Sequence, residues 1–117
     1  MKPFPPAANL NFLLGRRLSA VSQALYHVAF HFDDDVFIIV EYVFDVRQGT
    51  VTYLHDVLAG LDTVRILPLL ERQVQKVEVD QLALSLQFDD DLVLTIHTRF
   101  GPFESGHIGR KGDLIIF

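Results

Sequence analysis

Residues able to do chemistry are few in this 117-residue chain, which has five histidines, fifteen acidic side chains and no cysteine. The absence of cysteine excludes a disulfide framework, a thiolate metal site and a cysteine nucleophile. His27 and His31 are four residues apart, a spacing that would let both bind one metal ion on a helix. On a strand the two side chains would share a face but lie about 13 Å apart. Because the surrounding sequence alternates as a strand does, the two histidines should not share an ion, and we predict no metal site. The chain has no G-x-G-x-x-G motif and no phosphate-binding loop, so we predict no cofactor.

Two acidic triplets, Asp33–Asp35 and Asp89–Asp91, each follow a phenylalanine and lie 56 positions apart. A calcium loop spaces its oxygen ligands over a longer turn and adds a bidentate acid, and neither feature is present in this sequence. Consecutive aspartates in a tight turn also point in different directions. We therefore interpret the triplets as solvated hairpin tips rather than as calcium sites.

The triplets belong to a longer internal repeat. Residues 13–44 align with residues 69–100 without a gap, with nine identities in 32 positions. A period of this length indicates one supersecondary unit built twice. The stretch between the copies, residues 45–68, is predicted to be a helical linker because its apolar residues recur at helical spacing. These residues are Val51, Leu54, Val57, Leu58 and Leu61.

Alternating apolar and polar residues flank each triplet and predict two β-hairpins. Opposite residues of antiparallel strands share a face, and a pairing centred on Asp34 and on Asp90 keeps the apolar residues together. Asp35 and Asp91 then occupy the left-handed position of a three-residue tip, which glycine usually takes. The core positions predicted in this register are Val28, Phe30, Phe32, Ile38, Leu84, Leu86, Phe88 and Leu94.

The fold predicted from these patterns is mainly β. Two similar antiparallel β-meanders should form a pseudo-twofold sandwich or open barrel, with their apolar faces in one core. Two or three short helical turns are expected near residues 9–14, 52–60 and 63–70. Residues 1–117 are predicted to be a single domain, since half of them are hydrophobic and the chain has the length of one domain.

Charge and hydropathy restrict the partners. The net charge of −5 and the lack of a Lys/Arg stripe argue against binding to nucleic acid. The N-terminal apolar run is short and is broken by Asn9 and Asn11, unlike a secretory signal. No stretch reaches the roughly 18–20 apolar residues that cross a bilayer. We therefore expect a cytoplasmic protein with no membrane partner.

Three polar residues are candidates for a site. The predicted register places His27 opposite Glu41, a pair that could act as a general base with an orienting acid. The ordinary role of such residues is a cross-strand pair on the surface. His97 takes the position of Glu41 in the second copy and faces Ala83, so the pair is not repeated. We predict no catalytic residues and keep His27, Glu41 and His97 as weak polar-site candidates.

The two hairpins differ most on their outer faces. Hairpin two is mostly polar there, whereas hairpin one presents Phe37, Ile39 and Val43. Either the linker helix near residues 52–60 or another protein chain should cover these side chains, because a contiguous exposed apolar patch marks an interface. Phe37, Ile39 and Val43 are therefore candidates for a partner interface.

Three groups of residues carry a resemblance to a known family. They are Leu13-Leu14-Gly15 with Val28-x-Phe30-x-Phe32-Asp33-Asp34, then Leu84-x-Leu86-x-Phe88-Asp89-Asp90, and finally Phe103-Glu104 followed by Ile108. In these segments the chain resembles a family of small uncharacterised bacterial β-rich proteins, a domain of unknown function. Gly106 stands where that family usually has a tryptophan. The resemblance implies a compact β-rich domain and brings no established activity or catalytic residue.

The function expected from the sequence is that of a non-enzymatic protein–protein interaction module. It would act as a homodimer, or as a small acidic, immunity-like protein that blocks another chain. One alternative is a domain that binds a small molecule in the interior between the two meanders. Another alternative is an enzyme that uses His27 and Glu41.

Overall fold

A computed structural model of the protein describes residues 3–89, 91–99 and 103–117. Three short helical segments lie in these ranges: a 3₁₀ helix at Ala7–Leu13, α1 at Thr63–Ile66 and a 3₁₀ turn at Leu67–Leu69. The ten strands in the same ranges are β1 Leu18–Gln23, β2 Val28–Phe32, β3 Phe37–Val40, β4 Val43–Gln48, β5 Val51–Asp56, β6 Lys76–Val79, β7 Ala83–Gln87, β8 Leu92–His97, β9 Gly106–Arg110 and β10 Asp113–Ile116. The predicted mainly β fold is therefore confirmed.

The strands form two antiparallel five-stranded sheets. Sheet 1 has the order β1-β2-β3-β9-β10, and sheet 2 has the order β5-β4-β8-β7-β6. The two meanders are β1–β3 and β6–β8. The hairpin β4–β5 follows the first meander but pairs with β8 of the second, and the hairpin β9–β10 pairs with β3 of the first. Each half of the chain thus completes the sheet of the other half.

A pseudo-twofold axis passes between the start of β1 and the stretch before β6. Arg17 and Gln73 occupy equivalent positions 56 residues apart and form one antiparallel bridge with each other. On either side of the bridge, the backbone N–H of Leu18 donates to the carbonyl of Arg72 at 3.0 Å, and that of Val74 donates to Arg16 at 2.8 Å. These bonds join the two sheets along one margin.

Both hairpin tips have the predicted register. Phe30 pairs with Ile38 and Leu86 pairs with Leu94, so each pairing is centred on the second aspartate of its triplet. Asp35 and Asp91 both have a φ of 59°, the left-handed conformation expected for that position. The centre of the second tip, Asp90, lies outside the described residues.

A repeated arginine holds each triplet. Arg16 and Arg72 are equivalent in the repeat, and each forms an ion pair with the triplet of its own half. Arg16 contacts Asp34, and Nη1 of Arg72 lies 3.2 Å from Asp89. Because these pairs are partly exposed, each contributes little to stability. The effect of these ion pairs is to orient the aspartates within their turns.

Side chains of both sheets fill the space between them. All eight predicted core residues are buried, with no more than 4% of their surfaces exposed. The ring of Phe30 from sheet 1 meets the ring of Phe44 from sheet 2 edge to face, with centroids 5.1 Å apart. Such packing of large apolar side chains is the main source of stability in a domain of this size.

The helix predicted over residues 52–60, within a linker predicted to be helical over residues 45–68, is wrong, because β4 extends to Gln48 and residues 51–56 form the edge strand β5. Gly49, with a φ of 61°, turns the chain so that Val51 pairs with Gln48 and Tyr53 with Val46. The helical spacing of the apolar residues does not reflect one buried face. Leu54 points outward at 70% exposure, whereas Val57 lies beyond the strand and is buried. Pairing with β4 thus overrides the local pattern. The turns expected near residues 9–14 and 63–70 are present as the other helical segments.

Equivalent positions at the ends of the hairpins β4–β5 and β9–β10 carry a buried ring, His55 in one hairpin and Phe117 in the other. In sheet 2, His55 of β5 stacks on Phe44 of β4 with centroids 4.8 Å apart. The equivalent residues of sheet 1, each 62 positions later, are Phe117 and Gly106. A Cβ at Gly106 would lie 2.1 Å from the carbonyl oxygen of Ile39 and 2.6 Å from Cζ of Phe117. Glycine at this position therefore makes room for the buried ring of Phe117.

Of the two equivalent rings, His55 and Phe117, only His55 has a buried polar atom without a hydrogen-bond partner. Its side chain is 5% exposed, Nδ1 lies 3.2 Å from the carbonyl oxygen of Tyr53, and Nε2 is buried without a hydrogen-bond partner. We expect His55→Phe to raise the free energy of unfolding by about 1 kcal/mol, because it removes a buried unpaired nitrogen and keeps the stacked ring. Urea unfolding of both proteins measures the change.

The reciprocal variant is the matched control. Phe117→His introduces a polar ring at the equivalent position, where Phe4 stacks on Phe117 at 4.5 Å. It should lower the unfolding midpoint, since the new ring nitrogens would be buried among apolar side chains. A midpoint lower than wild type for His55→Phe would contradict the interpretation of Nε2 as a cost to folding.

Candidate functional site

The outer face of sheet 1 is the candidate site. Ten strand positions point away from the core on this face: Ala20, Ser22, Ala29, His31, Phe37, Ile39, His107, Gly109, Leu114 and Ile116. None of them is Asp, Glu, Lys or Arg. Leu114 is 58% exposed and Ile116 36%, while Phe37 and Ile39 are half-buried. We refer to these ten positions as the apolar face.

The outer face of sheet 2 is different in character. Fourteen strand positions point outward there, and five of them are charged: Asp45, Arg47, Asp56, Lys76 and Glu78. On its edge strand, Nζ of Lys76 lies 2.8 Å from Oε1 of Glu78. That hydrogen bond raises the pKa of Lys76 and lowers the pKa of Glu78. Such a face is an ordinary solvated surface.

The ring of Phe37 lies flat on the apolar face because the residue opposite it, Gly109, has no side chain. A Cβ at Gly109, the residue opposite Phe37 on β9, would lie 2.1 Å from Cζ of the ring. The ring of His107 meets Phe37 edge to face with centroids 6.0 Å apart. Gly109 thus lets an aromatic side chain lie across two strands instead of standing upright from one.

One end of sheet 1 adds further exposed apolar side chains. The turn between β1 and β2 carries Leu25 and Tyr26, which are 76% and 67% exposed. Phe103, 71% exposed, lies in the segment that leads into β9 at the same end of the sheet. These three residues extend the apolar surface beyond the strands, and the alternation pattern gave no reason to single them out.

The three predicted interface residues separate into two groups. Phe37 and Ile39 lie together on the apolar face. Val43 lies on the outer face of sheet 2, because the chain leaves β3 at Glu41–Tyr42 and crosses to the other sheet. The linker helix near residues 52–60 was one of the two expected covers for these side chains, but most of that stretch belongs to β5 at the edge of sheet 2. The placement of Val43 beside Phe37 was therefore wrong.

The predicted polar pair is replaced by a different one. Glu41 follows β3, and its carboxylate oxygen lies 4.0 Å from Nδ1 of His107 on the neighbouring strand β9. The side chain of His27 has no hydrogen-bond or ion-pair partner within the described ranges. Pairing of β3 with β9, which joins residues 66 to 72 positions apart, brings Glu41 and His107 together.

His97 forms the corresponding pair on sheet 2. It faces Ala83 as predicted, and its Nε2 donates a hydrogen bond to the carboxylate of Asp45 at 2.7 Å. The side chain of Asp45 is 17% exposed, and that of His97 is 32% exposed. Asp45 was not among the sequence candidates, because only the pairing of β4 with β8 reveals the contact.

The two pairs are equivalent with their residue types reversed. Glu41 corresponds to His97 at an offset of 56, and His107 corresponds to Asp45 at an offset of 62. Each sheet therefore carries one such acid–imidazole pair on its outer side, formed between neighbouring segments of the chain. An open groove of about 750 Å³ lies beside the sheet 2 pair, with Tyr42, Leu54, Leu82 and His97 among its lining residues.

Comparisons with protein families, with curated proteins and with solved structures give no match to this chain. The resemblance to a family of small bacterial β-rich proteins therefore stays a prediction. None of the helices in the described ranges has the length and apolar character needed to cross a membrane.

The contact between Phe37 and Gly109 predicts a steric effect on the apolar face. Gly109→Ala should lower the free energy of unfolding by roughly 1–3 kcal/mol, because the new methyl group displaces the ring. In a Phe37→Ala background the same substitution should cost much less. Chemical unfolding of the single and double variants gives the coupling energy. Equal costs in both backgrounds would contradict the steric interpretation.

Proposed function

We propose that this protein is a non-enzymatic protein–protein interaction module and that the apolar face of sheet 1 is its binding surface. The observation that carries the proposal is the absence of charged residues from all ten outward strand positions of that sheet. Depletion of charge at the centre of a surface, with apolar and aromatic residues present, is the compositional mark of an interface. The charged outer face of sheet 2, built on the same scaffold, gives the contrast.

The edge of sheet 1 supports the same proposal. β10 is an edge strand that carries Leu114 and Ile116 on the apolar face. An open edge next to an apolar face suits association with another chain, since edge strands offer unpaired backbone groups. A second copy of the protein is the first partner we propose, and a different chain that is blocked by this acidic protein is the second.

The other two functions considered for the sequence receive less support. A ligand between the meanders would have to displace the buried side chains that fill the inter-sheet space, such as Phe30 and Phe44. An enzyme based on His27 and Glu41 would need these side chains to share a concave site. The partner nearest to Glu41 is His107, and Glu41 is exposed.

Pseudo-symmetry supplies a matched test. Ile116 on the apolar face and Leu54 on sheet 2 occupy equivalent positions, and both are exposed. We expect the wild-type protein to be a dimer by light scattering after gel filtration. Ile116→Asp should shift the mass toward that of a monomer, because a charge would be buried at the interface. Leu54→Asp should leave the mass unchanged.

If the wild-type protein is a monomer, the test is a measurement of surface hydrophobicity. Binding of the dye ANS should then fall in Ile116→Asp and stay constant in Leu54→Asp, since the first surface is free to receive a different partner. A monomer whose dye binding responds equally to both substitutions would refute the proposal. Circular dichroism of each variant checks that the fold is intact.

A further inference from the structure

Glu41, Glu104 and His107 converge where β3 ends and β9 begins. One ligand atom from each of the three side chains lies within 4.8 Å of the other two. Glu41 and Glu104 are exposed, and His107 is half-buried. We propose that these three residues bind a first-row divalent metal ion of the Zn²⁺ type. The metal site is a separate proposal from the interaction function, although it shares His107 with the apolar face.

The charges at this position are not balanced by the protein. Several other carboxylates have a basic partner, as Asp34 has Arg16 and Asp113 has Arg110. Glu41 and Glu104 have no Lys or Arg partner within the described ranges, and the imidazole of His107 lies 4.0 Å from the carboxylate of Glu41. Two carboxylates at this distance repel each other. A bound cation would replace that repulsion with attraction.

Backbone hydrogen bonds hold the three donors in place. The N–H of Glu41 donates to the carbonyl of Ser105 at 2.8 Å, and the N–H of Ser105 donates to Phe117 at 2.7 Å. Ser105 lies between Glu104 and His107 in the sequence, is fully buried, and accepts a hydrogen bond from the hydroxyl of Thr98 at 3.1 Å. Because the backbone beneath the donors is fixed, metal binding would require rotation of side chains rather than folding of a loop.

The donor types select the class of ion. Two carboxylate oxygens and one imidazole nitrogen suit zinc, which binds both at about 2.0–2.2 Å in tetrahedral geometry. Donors around one such ion lie about 3.3 Å apart, so the exposed glutamates would need to move inward modestly. Calcium requires six to eight oxygen ligands and magnesium prefers oxygen in an octahedron, so both should bind more weakly. Water would occupy the fourth position.

The other half of the chain offers an internal comparison. The residues equivalent to Glu41, Glu104 and His107 are His97, Tyr42 and Asp45. Two donors remain there, already bound to each other, and the third position is an aromatic ring with the guanidinium of Arg99 at 4.3 Å from its centroid. A cation nearby and the lack of a third donor make this equivalent position unsuited to a metal ion.

Isothermal titration of the tag-free protein with ZnCl₂ tests the proposal. We expect wild type to bind one equivalent of Zn²⁺, with Mn²⁺ weaker and Mg²⁺ weaker still. Glu104→Gln and His107→Gln should each weaken the binding by roughly tenfold or more, because each removes a ligand. The control His97→Gln alters the equivalent pair on sheet 2 and should leave the affinity unchanged.

A second readout separates metal binding from folding. Zn²⁺ should raise the thermal unfolding midpoint of wild type and of His97→Gln, and it should raise that of Glu104→Gln much less. Glu104 is exposed, so its variant keeps the fold and decides the question even if His107→Gln is unstable. The proposal is overturned if wild type binds no Zn²⁺, or if Glu104→Gln binds it as tightly as wild type does.

Discussion

Backbone pairing between the two halves of the chain is the constraint on which the rest of the structure depends. β3 pairs with β9 and β4 pairs with β8, so each sheet contains three strands from one half and two from the other. Neither half can complete a sheet without its counterpart. The same pairing encloses the core, because Phe30 and Phe44 from one half meet across two different sheets. It also creates both acid–imidazole pairs, whose members lie on or next to the strands that pair between the two halves.

The local sequence pattern predicted the features that depend on neighbouring residues, and it did not predict contacts between distant parts of the chain. Alternation and turn length were sufficient to assign both hairpins, their register and the left-handed conformation of Asp35 and Asp91, since these follow from side-chain period and sterics. Asp34, with a φ of 56°, is left-handed as well and was not predicted. The contact of Glu41 with His107 could not be predicted from local patterns, because it depends on pairing with a strand near the other end of the chain. The edge strand β5 was mistaken for a helix for a similar reason, as its hydrogen bonds to β4 outweigh the spacing of its apolar residues. Val43 was misplaced when the crossing at Glu41–Tyr42 went unrecognised.

The two halves share a framework and differ in what they display. Arg16 and Arg72 hold equivalent turns, and equivalent residues form the core of each sheet. Outside that framework, one sheet carries charged residues across its surface and the other carries none at its outward strand positions. The glycines of β9 illustrate the divergence, because Gly106 accommodates Phe117 and Gly109 accommodates Phe37, where β4 has Phe44 and Arg47. The differences between the two outer faces are compatible with one fold serving two kinds of surface.

The bridge between Arg17 and Gln73 lies where the two halves of the chain meet, and each half contributes a hairpin, β4–β5 or β9–β10, to the sheet of the other half. Two identical subunits that exchanged a hairpin about a twofold axis would produce the same arrangement, as domain-swapped dimers do. Here residues 57–75 link the two halves, so their encounter is intramolecular, at an effective concentration of about millimolar or above. The assembly of the two sheets is therefore independent of how much protein the solution contains. Covalent linkage also removes the requirement that both halves have the same sequence, and a substitution on one surface leaves its counterpart unchanged.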